Sequence, residues 1–578
     1  MARSPHVNRV HQGQRGVRRA RSDQMSLALE LPHESEDHGE VFTRRWVVEL
    51  ILDLAGYTAD RDLAVMVAVE PSCGAGAFLG PMVERLVQSC ESHGRSITEA
   101  AGAIRAFDLL GDNAALAAKA AATQLVEAGV DDGTAWELAG GWVTAGDFLL
   151  TNHVEQSVDF VLGNPPYIRL ENLPADRNAA YRRACTTMRG RSDIFVGFIE
   201  MGLRLLRPNG ALGFIVADRW MRNQYGAALR AFVAEQFSVD AVIEMHDVDA
   251  FEEEVSAYPA VTVIRRRPQA KPVVAATTEA FGAADAQQLG SWATNGRTRP
   301  LVNGSVHATT LPGWFSGDES WPSATPDQLN LIADLERRFP PMEDASTGTR
   351  VGIGLATGAD DVYITRDASI VEEERLLPLV MARDLASGTV EWSGTYLVNP
   401  WGDDGLVDLA EWPRLGAYLA RHGSRLMARH TAKKSPDRWF KTIDRVSAGL
   451  QATPKLLLPE MKAAAHPVLD SGGFYPHHNL YHVTSADWDL EVLGGLLLSD
   501  MANLFVGAYC VKMRGGCYRF QAQYLRRIRV PSPESVPLAA KKQLAAAFRA
   551  RDADAATGVA LPLYGVKDLP RSLAGARR

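Results

Sequence analysis

Between Gly39 and Arg267 short apolar runs alternate with amphipathic stretches, and no other feature restricts the fold of this chain as strongly. Residues 65–69, 103–107, 160–163, 210–216 and 241–244 are apolar runs of strand length bounded by turn residues. Between them, residues 114–128 and 195–206 repeat apolar side chains at helical spacing. Strands that need cover on both faces, each followed by a helix, predict an α/β fold with a parallel sheet and helices on both sides. Residues 261–265 read as one further strand that closes the unit.

At 578 residues the chain exceeds one ordinary domain, so two to four are expected. Hydrophobic residues make up 46% and charged residues 22%, a globular balance. No apolar run approaches the roughly 18 residues of a membrane span, so no membrane partner is expected. The five cysteines, Cys73, Cys90, Cys185, Cys510 and Cys517, form no CxxC pair. That excludes a zinc ribbon or a disulfide framework, and it predicts no metal and a reducing, cytoplasmic setting. A net charge of −8 does not announce a nucleic-acid binder, but phosphate contact needs only a local basic face.

Texture divides the chain. Residues 1–37 form a basic tail expected to be disordered, residues 38–268 the α/β unit, and residues 269–350 a linker or the start of a second domain. Residues 351–535 read as a mixed α+β domain, and residues 536–578 as a helix and tail. Residues 1–24 hold six arginines and one acid, Asp23. Such a segment buries too little to offset its ordering entropy. A transit peptide would share that composition, and a true start at Met25 is a further reading.

The first strand runs through Glu70 into a small-residue turn, Cys73-Gly74-Ala75-Gly76, and then a helix. Gly74 and Gly76 let backbone approach a ligand at the carboxyl end of a strand, where doubly wound sheets bind ligands. The turn is neither the GxGxxG of dinucleotide enzymes nor a Walker loop, which disfavours NAD and ATP. Asp108 follows the second strand, where a carboxylate can accept both hydroxyls of a ribose. Asp147-Phe148 follows a third, where Asp147 could accept from an adenine amino group while Phe148 packs on the ring. Together they point to a nucleoside cofactor.

The most specific feature is Asn164-Pro165-Pro166-Tyr167 at the end of a strand. Two prolines fix φ and remove two donors, leaving a stiff loop. The Asn164 side-chain carbonyl and the Pro165 backbone carbonyl can converge on one planar amino group and direct its lone pair at an electrophile. With these motifs the chain resembles the TaqI-like adenine-N6 DNA methyltransferases, of gamma-type motif order, and residues 39–267 carry that resemblance. It implies a Rossmann-like class I domain that uses S-adenosyl-L-methionine. It places Thr43 at the methionine moiety, and Glu70, Cys73, Gly74 and Gly76 in the main cofactor motif. Asp108 falls on the ribose, Asp147 and Phe148 on the adenine, and Asn164 at the cofactor and the target amine. Asp193–Glu200 and Gly213–Trp220 match the later motifs. Two positions depart from the pattern: Arg44 replaces a usual proline, and Phe107-Asp108-Leu109 replaces the commoner Glu-x-Asp.

A paired amino group is unreachable inside a duplex, so such an enzyme must flip its adenine out of double-stranded DNA. Tyr167 would supply one stacking face and, by resemblance, Phe251 the other. The acidic run Glu252–Glu254 beside Phe251 has no evident reason on a DNA-facing loop. Residues 414–445 hold nine Lys/Arg and two acids; residues 512–529 hold six Lys/Arg and none. Tyr518, Phe520 and Tyr524 lie among the latter, and Lys512, Arg514, Arg519, Arg526 and Arg527 are expected on the DNA backbone. Ile353–Tyr363 resembles the opening glycine turn of the family's C-terminal target-recognition domain.

Three alternatives stand beside this: a methyltransferase of protein glutamine or ribosomal RNA, a cytosine-N4 enzyme, and a non-catalytic DNA-binding subunit. The 38 residues ahead of Gly39 are too few for a nuclease. A stand-alone, monomeric, bacterial and nucleoid-associated modification enzyme is therefore expected, with any restriction endonuclease on a separate chain. The recognition sequence is not derivable, because it rests on a few loop side chains.

Overall fold

The computed structural model describes residues 41–253, 258–297, 299–512 and 517–570. The basic tail expected over 1–37 and Arg514 lie outside them, and of Lys512 only the backbone is described.

Seven strands answer the predicted alternation: β1 (Ala68–Glu70), β2 (Ile104–Asp108), β3 (Val143–Ala145), β4 (Val158–Gly163), β5 (Leu206–Ala217), β6 (Ser238–Glu244) and β7 (Pro259–Arg265). They lie in the order β3-β2-β1-β4-β5-β7-β6, with the first five parallel and β7 antiparallel between β5 and β6. The sheet is therefore mixed at one end, where β7 returns directly from β6 without a crossover helix. Strand β1 is shorter than predicted: Leu63–Val65 turns as a 3-10 helix and Val65 faces solvent.

Alternation along each strand feeds two cores. Phe160 and Leu162 of β4 pack on one face with α1 (Arg45–Ala55), α2 (Leu79–His93) and α3 (Gly111–Glu127). Val161 joins the other face with Phe195–Leu205 and Ala227–Gln236. The order β3-β2-β1-β4 reverses direction of growth between β1 and β4. Their carboxyl ends, carrying Glu70 and Asn164, thus face the crevice where such sheets hold ligands.

The sheet does not stop at Arg267. β8 (Val273–Thr277) pairs with β6, and β10 (Val306–Thr310) adds to β8 and carries β9 (Leu301–Val302). This corrects the expectation that residue 269 begins a linker or a second domain. The run Val-Val-Ala-Ala is buried in the sheet, and its small residues hid a strand inside an Ala- and Thr-rich texture.

Beyond Arg350 two four-stranded sheets form. One orders Arg350–Ile353, Leu480–Thr484, Lys455–Pro459 and Val468–Asp470; the other orders Ile364–Thr365, Tyr396–Val398, Leu376–Val380 and Tyr475–Pro476. Helices Leu490–Leu498, Asp500–Tyr509, Leu538–Ala550 and Ala553–Tyr564 pack together against the first of these sheets. Among the described residues no single helix is long and apolar enough to cross a membrane, and the bent pair Leu490–Leu498 and Asp500–Tyr509 is core.

A polar seam joins the α/β part to the segment around Trp321. Arg230, 2% exposed, donates to the carbonyls of Trp220, Asn223, Asp318 and Glu319 at 2.6–3.1 Å. The Trp321 amide donates to the Met221 carbonyl at 2.7 Å, and the Trp321 ring meets Trp220 edge to face. Among the described residues no carboxylate pairs with Arg230, and burial lowers its pKa to about 10, so carbonyl dipoles hold the charge. Arg230→Ala is expected to lower unfolding free energy by about 3 kcal/mol, read as a lowered urea midpoint. A change below about 0.5 kcal/mol would show that the seam does not bear on stability.

Candidate active site

The turn after β1 folds tightly because small residues let it. Gly74 and Gly76 take φ of +49° and +98°, which L side chains avoid, and the Gly76 amide bonds the Cys73 carbonyl at 2.8 Å. A Cβ at Gly76 would press on Ala117 and Ala120 of α3 at 3.4 Å. Cys73 is buried, its amide bonds the Phe107 carbonyl, and burial pushes its thiol pKa up, so it is a packing residue.

Asp108 closes this turn: its carboxylate accepts from the Gly74 and Leu110 amides, both at 2.9 Å. Glu70 lies beside it, 1% exposed and accepting from the Phe78 amide, while its Oε2 has no hydrogen-bond partner among the described residues. Burial, and then the nearby Asp108 charge, hold the Glu70 carboxyl well above the usual range. Two acids at the mouth of a glycine turn, one with an orphaned oxygen, form a site suited to a cation or to hydroxyl donors.

The third predicted element is placed differently. Asp147 is adjacent, since the Gly146 amide bonds the Asp108 carbonyl at 2.7 Å. Its carboxylate, however, accepts from the Leu149 amide at 3.0 Å and the Tyr181 hydroxyl at 2.7 Å. Burial raises its pKa against those bonds. Phe148 is 3% exposed and packs on Phe107 and Phe198, so the ring expected to cover an adenine is core in this state.

Asn164 follows β4, with Pro165 buried and Pro166 and Tyr167 half-buried. Its Nδ2 donates to the Val41 carbonyl at 3.0 Å and to Thr43 Oγ1 at 3.1 Å. The Val41 carbonyl can only accept and so fixes the amide orientation, because the flipped form would set Oδ1 against that oxygen. Oδ1 is left buried and unpartnered among the described residues. Thr43 is held in turn by a bridge to Phe251, flanked by Arg44 N–H to the Ala250 carbonyl and Glu252 N–H to the Phe42 carbonyl. Thus Thr43, Asn164 and Phe251, 208 positions apart at the extremes, meet at one point.

Tyr167 and Phe251 are also brought together, with ring centroids 6.3 Å apart and planes crossing at 83°. They touch edge to face; a planar group between them requires one ring to turn. The backbone after Tyr167 is clamped by the Arg169–Asp193 bridge, and Asp193 is gripped by Arg219 at 2.6 and 2.8 Å and by the Tyr225 hydroxyl at 2.8 Å. The Val41 carbonyl and Tyr225 were missed by the sequence reading, since a backbone acceptor and a lone side chain distant in sequence leave no motif; Arg219 lay within the Gly213–Trp220 match but was given no role.

The predicted DNA-facing residues separate. Phe520 and Tyr524 are 1% and 2% exposed and belong to the core. Arg527 is inward, held by Glu319, by Glu336 at 3.0 Å and by the Tyr509 hydroxyl at 3.3 Å, with its guanidinium over the Tyr509 ring. This corrects its assignment to the DNA backbone: those contacts satisfy its charge within the chain. Arg519 and Arg526 stay about half exposed, paired with Glu460 and Glu343. In the other basic stretch Arg429 is buried under four carbonyls, whereas Lys433, Lys434 and Arg438 are exposed and without an ion pair among the described residues. A cleft of about 680 Å³ opens nearby, lined by Arg350, Ile353, Arg445, His482 and Arg526. Burial holds the His482 pKa at about 4, so its imidazole is uncharged at neutral pH.

Comparison with known proteins agrees with this architecture. Residues 96–251 match the family model described as Eco57I restriction-modification methylase. The chain is 43% identical to the Type II methyltransferase M.XhoI of Xanthomonas vasicola, covering 93% of this chain and 99% of the relative. It is 43% identical to the Type II methyltransferase M.PaeR7I of Pseudomonas aeruginosa, over 93% and 94%. A solved structure of the Type IIL restriction-modification enzyme MmeI in complex with DNA shares the fold, at 12% identity, with a TM-score of 0.53 over 92% of this chain and 74% of that one.

Glu70 gives a pH test. A carboxyl whose pKa is raised on folding contributes its full stability below the unfolded value of about 4.5, and loses it as pH rises through the folded value. Glu70→Gln removes that charge. The variant is therefore expected to unfold at a higher temperature than the unaltered chain at pH 8 without ligand, with the difference shrinking at pH 5. A difference that grew on acidification would contradict the orphaned carboxylate.

Proposed function

The chain belongs to the Type II methyltransferases, DNA-modifying enzymes of restriction-modification systems, and from that premise we propose that its target is the exocyclic N6 of an adenine flipped out of duplex DNA. The observation that carries this reading is the fixed amide of Asn164, whose unpartnered Oδ1 is an acceptor waiting for one N–H. The backbone carbonyl of Pro165 takes the second. An amine held through both hydrogens keeps its lone pair free and directed, and the acceptors gain strength as the nitrogen becomes positive. With a DNA substrate, the protein-glutamine and ribosomal-RNA readings fall away.

S-adenosylmethionine is the expected cofactor, and it supplies a methyl group already activated on a sulfonium. The residues fit it: Glu70 offers an orphaned buried acceptor to a cationic ligand, and Gly74 and Gly76 leave backbone open. Asp108 and Asp147 are the acids for ribose and adenine, and for Asp147 this means exchanging the Tyr181 hydroxyl for the base. Tyr167 and Phe251 sandwich the target once their edge-to-face contact opens, which offsets the few kcal/mol of flipping.

Residues 351–535 serve as the target-recognition domain, with Lys433, Lys434 and Arg438 on phosphates and the cleft lined by Arg350, Arg445 and Arg526 beside the base edges. The enzyme acts as a monomer, with its cognate endonuclease on a separate chain.

Asn164→Ala is expected to cut methyl transfer at least about 100-fold, while cofactor affinity by calorimetry stays within about threefold. Lost cofactor binding would instead give Asn164 a structural role. Single-molecule sequencing of DNA from cells with and without the gene should show one N6-methyladenine motif that disappears; its persistence would sink the adenine reading. Lys433→Ala with Lys434→Ala is expected to lower the salt dependence of DNA binding by about 1.8 in log–log slope, and an unchanged slope would remove both from the phosphate contacts.

A further inference from the structure

We infer that Asp360, His477 and His478 form a binding site for one divalent ion of the zinc class, which ties the opening turn of the second half to the Tyr475–Leu480 segment. One ligand atom from each residue can be chosen so that all lie within 4.8 Å of one another. This was not visible in the sequence, where the absence of a CxxC pair argued against metal: the carboxylate and the imidazoles are 117 positions apart.

The backbone brings them together without any ion. Leu355 bridges His477, the His478 amide donates to the Leu355 carbonyl at 3.1 Å, and the Leu355 amide donates to the Pro476 carbonyl at 2.9 Å. Gly354 is needed for this approach, since a Cβ there would fall 2.1 Å from the His477 carbonyl oxygen. The site is thus built by main chain before its side chains are considered.

The side chains are left in the state that a metal satisfies. His477 is 3% exposed, with Nε2 3.2 Å from Asp360 Oδ2 and Nδ1 unpartnered among the described residues. His478 packs its ring 4.0 Å from that of His477, and its buried Nδ1 is unpartnered too. The two adjoining imidazoles each keep an unpartnered Nδ1, and one carboxylate cannot serve both. Two imidazoles and a carboxylate are a borderline donor set, suited to zinc with water in a remaining position. Thr357 Oγ1 donates to the other oxygen of Asp360, the outer support that orients a ligating carboxylate. Asp360 is about half exposed, which gives the ion a path from solvent.

The same turn supports the basic segment: the Thr357 carbonyl accepts from the Ile443 amide at 3.2 Å and from Arg429 at 3.1 Å. A bound ion would therefore stiffen the surface that presents Lys433, Lys434 and Arg438.

The test uses the full chain without a histidine tag. Equilibrium dialysis against Zn2+ with elemental analysis is expected to find one ion per chain, and Co2+ in its place to give visible absorption bands of an imidazole-ligated ion. Asp360→Asn and His478→Ala are each expected to weaken binding at least tenfold, whereas His430→Ala, at an exposed histidine, leaves it unchanged. Zn2+ is expected to raise the unfolding temperature of the unaltered chain and of His430→Ala but not of Asp360→Asn. If no stoichiometric ion binds, the inference fails. If Asp360→Asn, folded by circular dichroism, binds as tightly as the unaltered chain, the ion lies elsewhere and the inference fails equally.

Discussion

Everything at the candidate active site depends on two hydrogen bonds, from Asn164 Nδ2 to the Val41 carbonyl and to Thr43 Oγ1. An amide has two faces of opposite character, and only a partner of known polarity decides which is presented. Here the Val41 carbonyl can only accept, so the amide nitrogen faces residues 41–43 and Oδ1 is left without a partner among the described residues. The commitment reaches further, because residues 41–44 are held in extended form by residues 250–252. The loop carrying Phe251 and the loop carrying Tyr167 are thus set against each other by the strand that orients Asn164.

That arrangement explains why part of the site was legible and part was not. Asn164–Tyr167 and Cys73–Gly76 are local: proline and glycine restrict or free the backbone wherever they occur, so the turn can be read from a few letters. The alternation of strands and helices was legible for the same reason, since each strand and its following helix are contiguous, whereas the order in which the strands lie was not read. β7 and β8 were less so. Antiparallel insertion of β7 leaves no mark on its composition, and the alanines of β8 read as loop because volume, not polarity, distinguishes them from a usual strand.

The basic residues show the limit from the other side. Charge counts treat every arginine alike, but Arg230, Arg429 and Arg527 are turned inward to carbonyls, carboxylates or a tyrosine ring, while Lys433, Lys434 and Arg438 are not. A guanidinium has five donors in a rigid fork and crosslinks backbone in a way an ammonium does less well. Arginine in a basic run is accordingly a weaker sign of a phosphate contact than lysine in the same run. Aromatics behave alike: Phe520 and Tyr524 lie among cations in sequence and inside the core in space.

The Arg230–Trp321 seam bears on how such an enzyme diverges. Because carbonyls on both sides of the seam converge on one buried cation, the α/β part and the segment carrying Trp321 are set at a fixed offset, like the jaw and scale of a caliper. If residues 351–535 read the sequence, as proposed, a lineage can alter their loops without disturbing that offset.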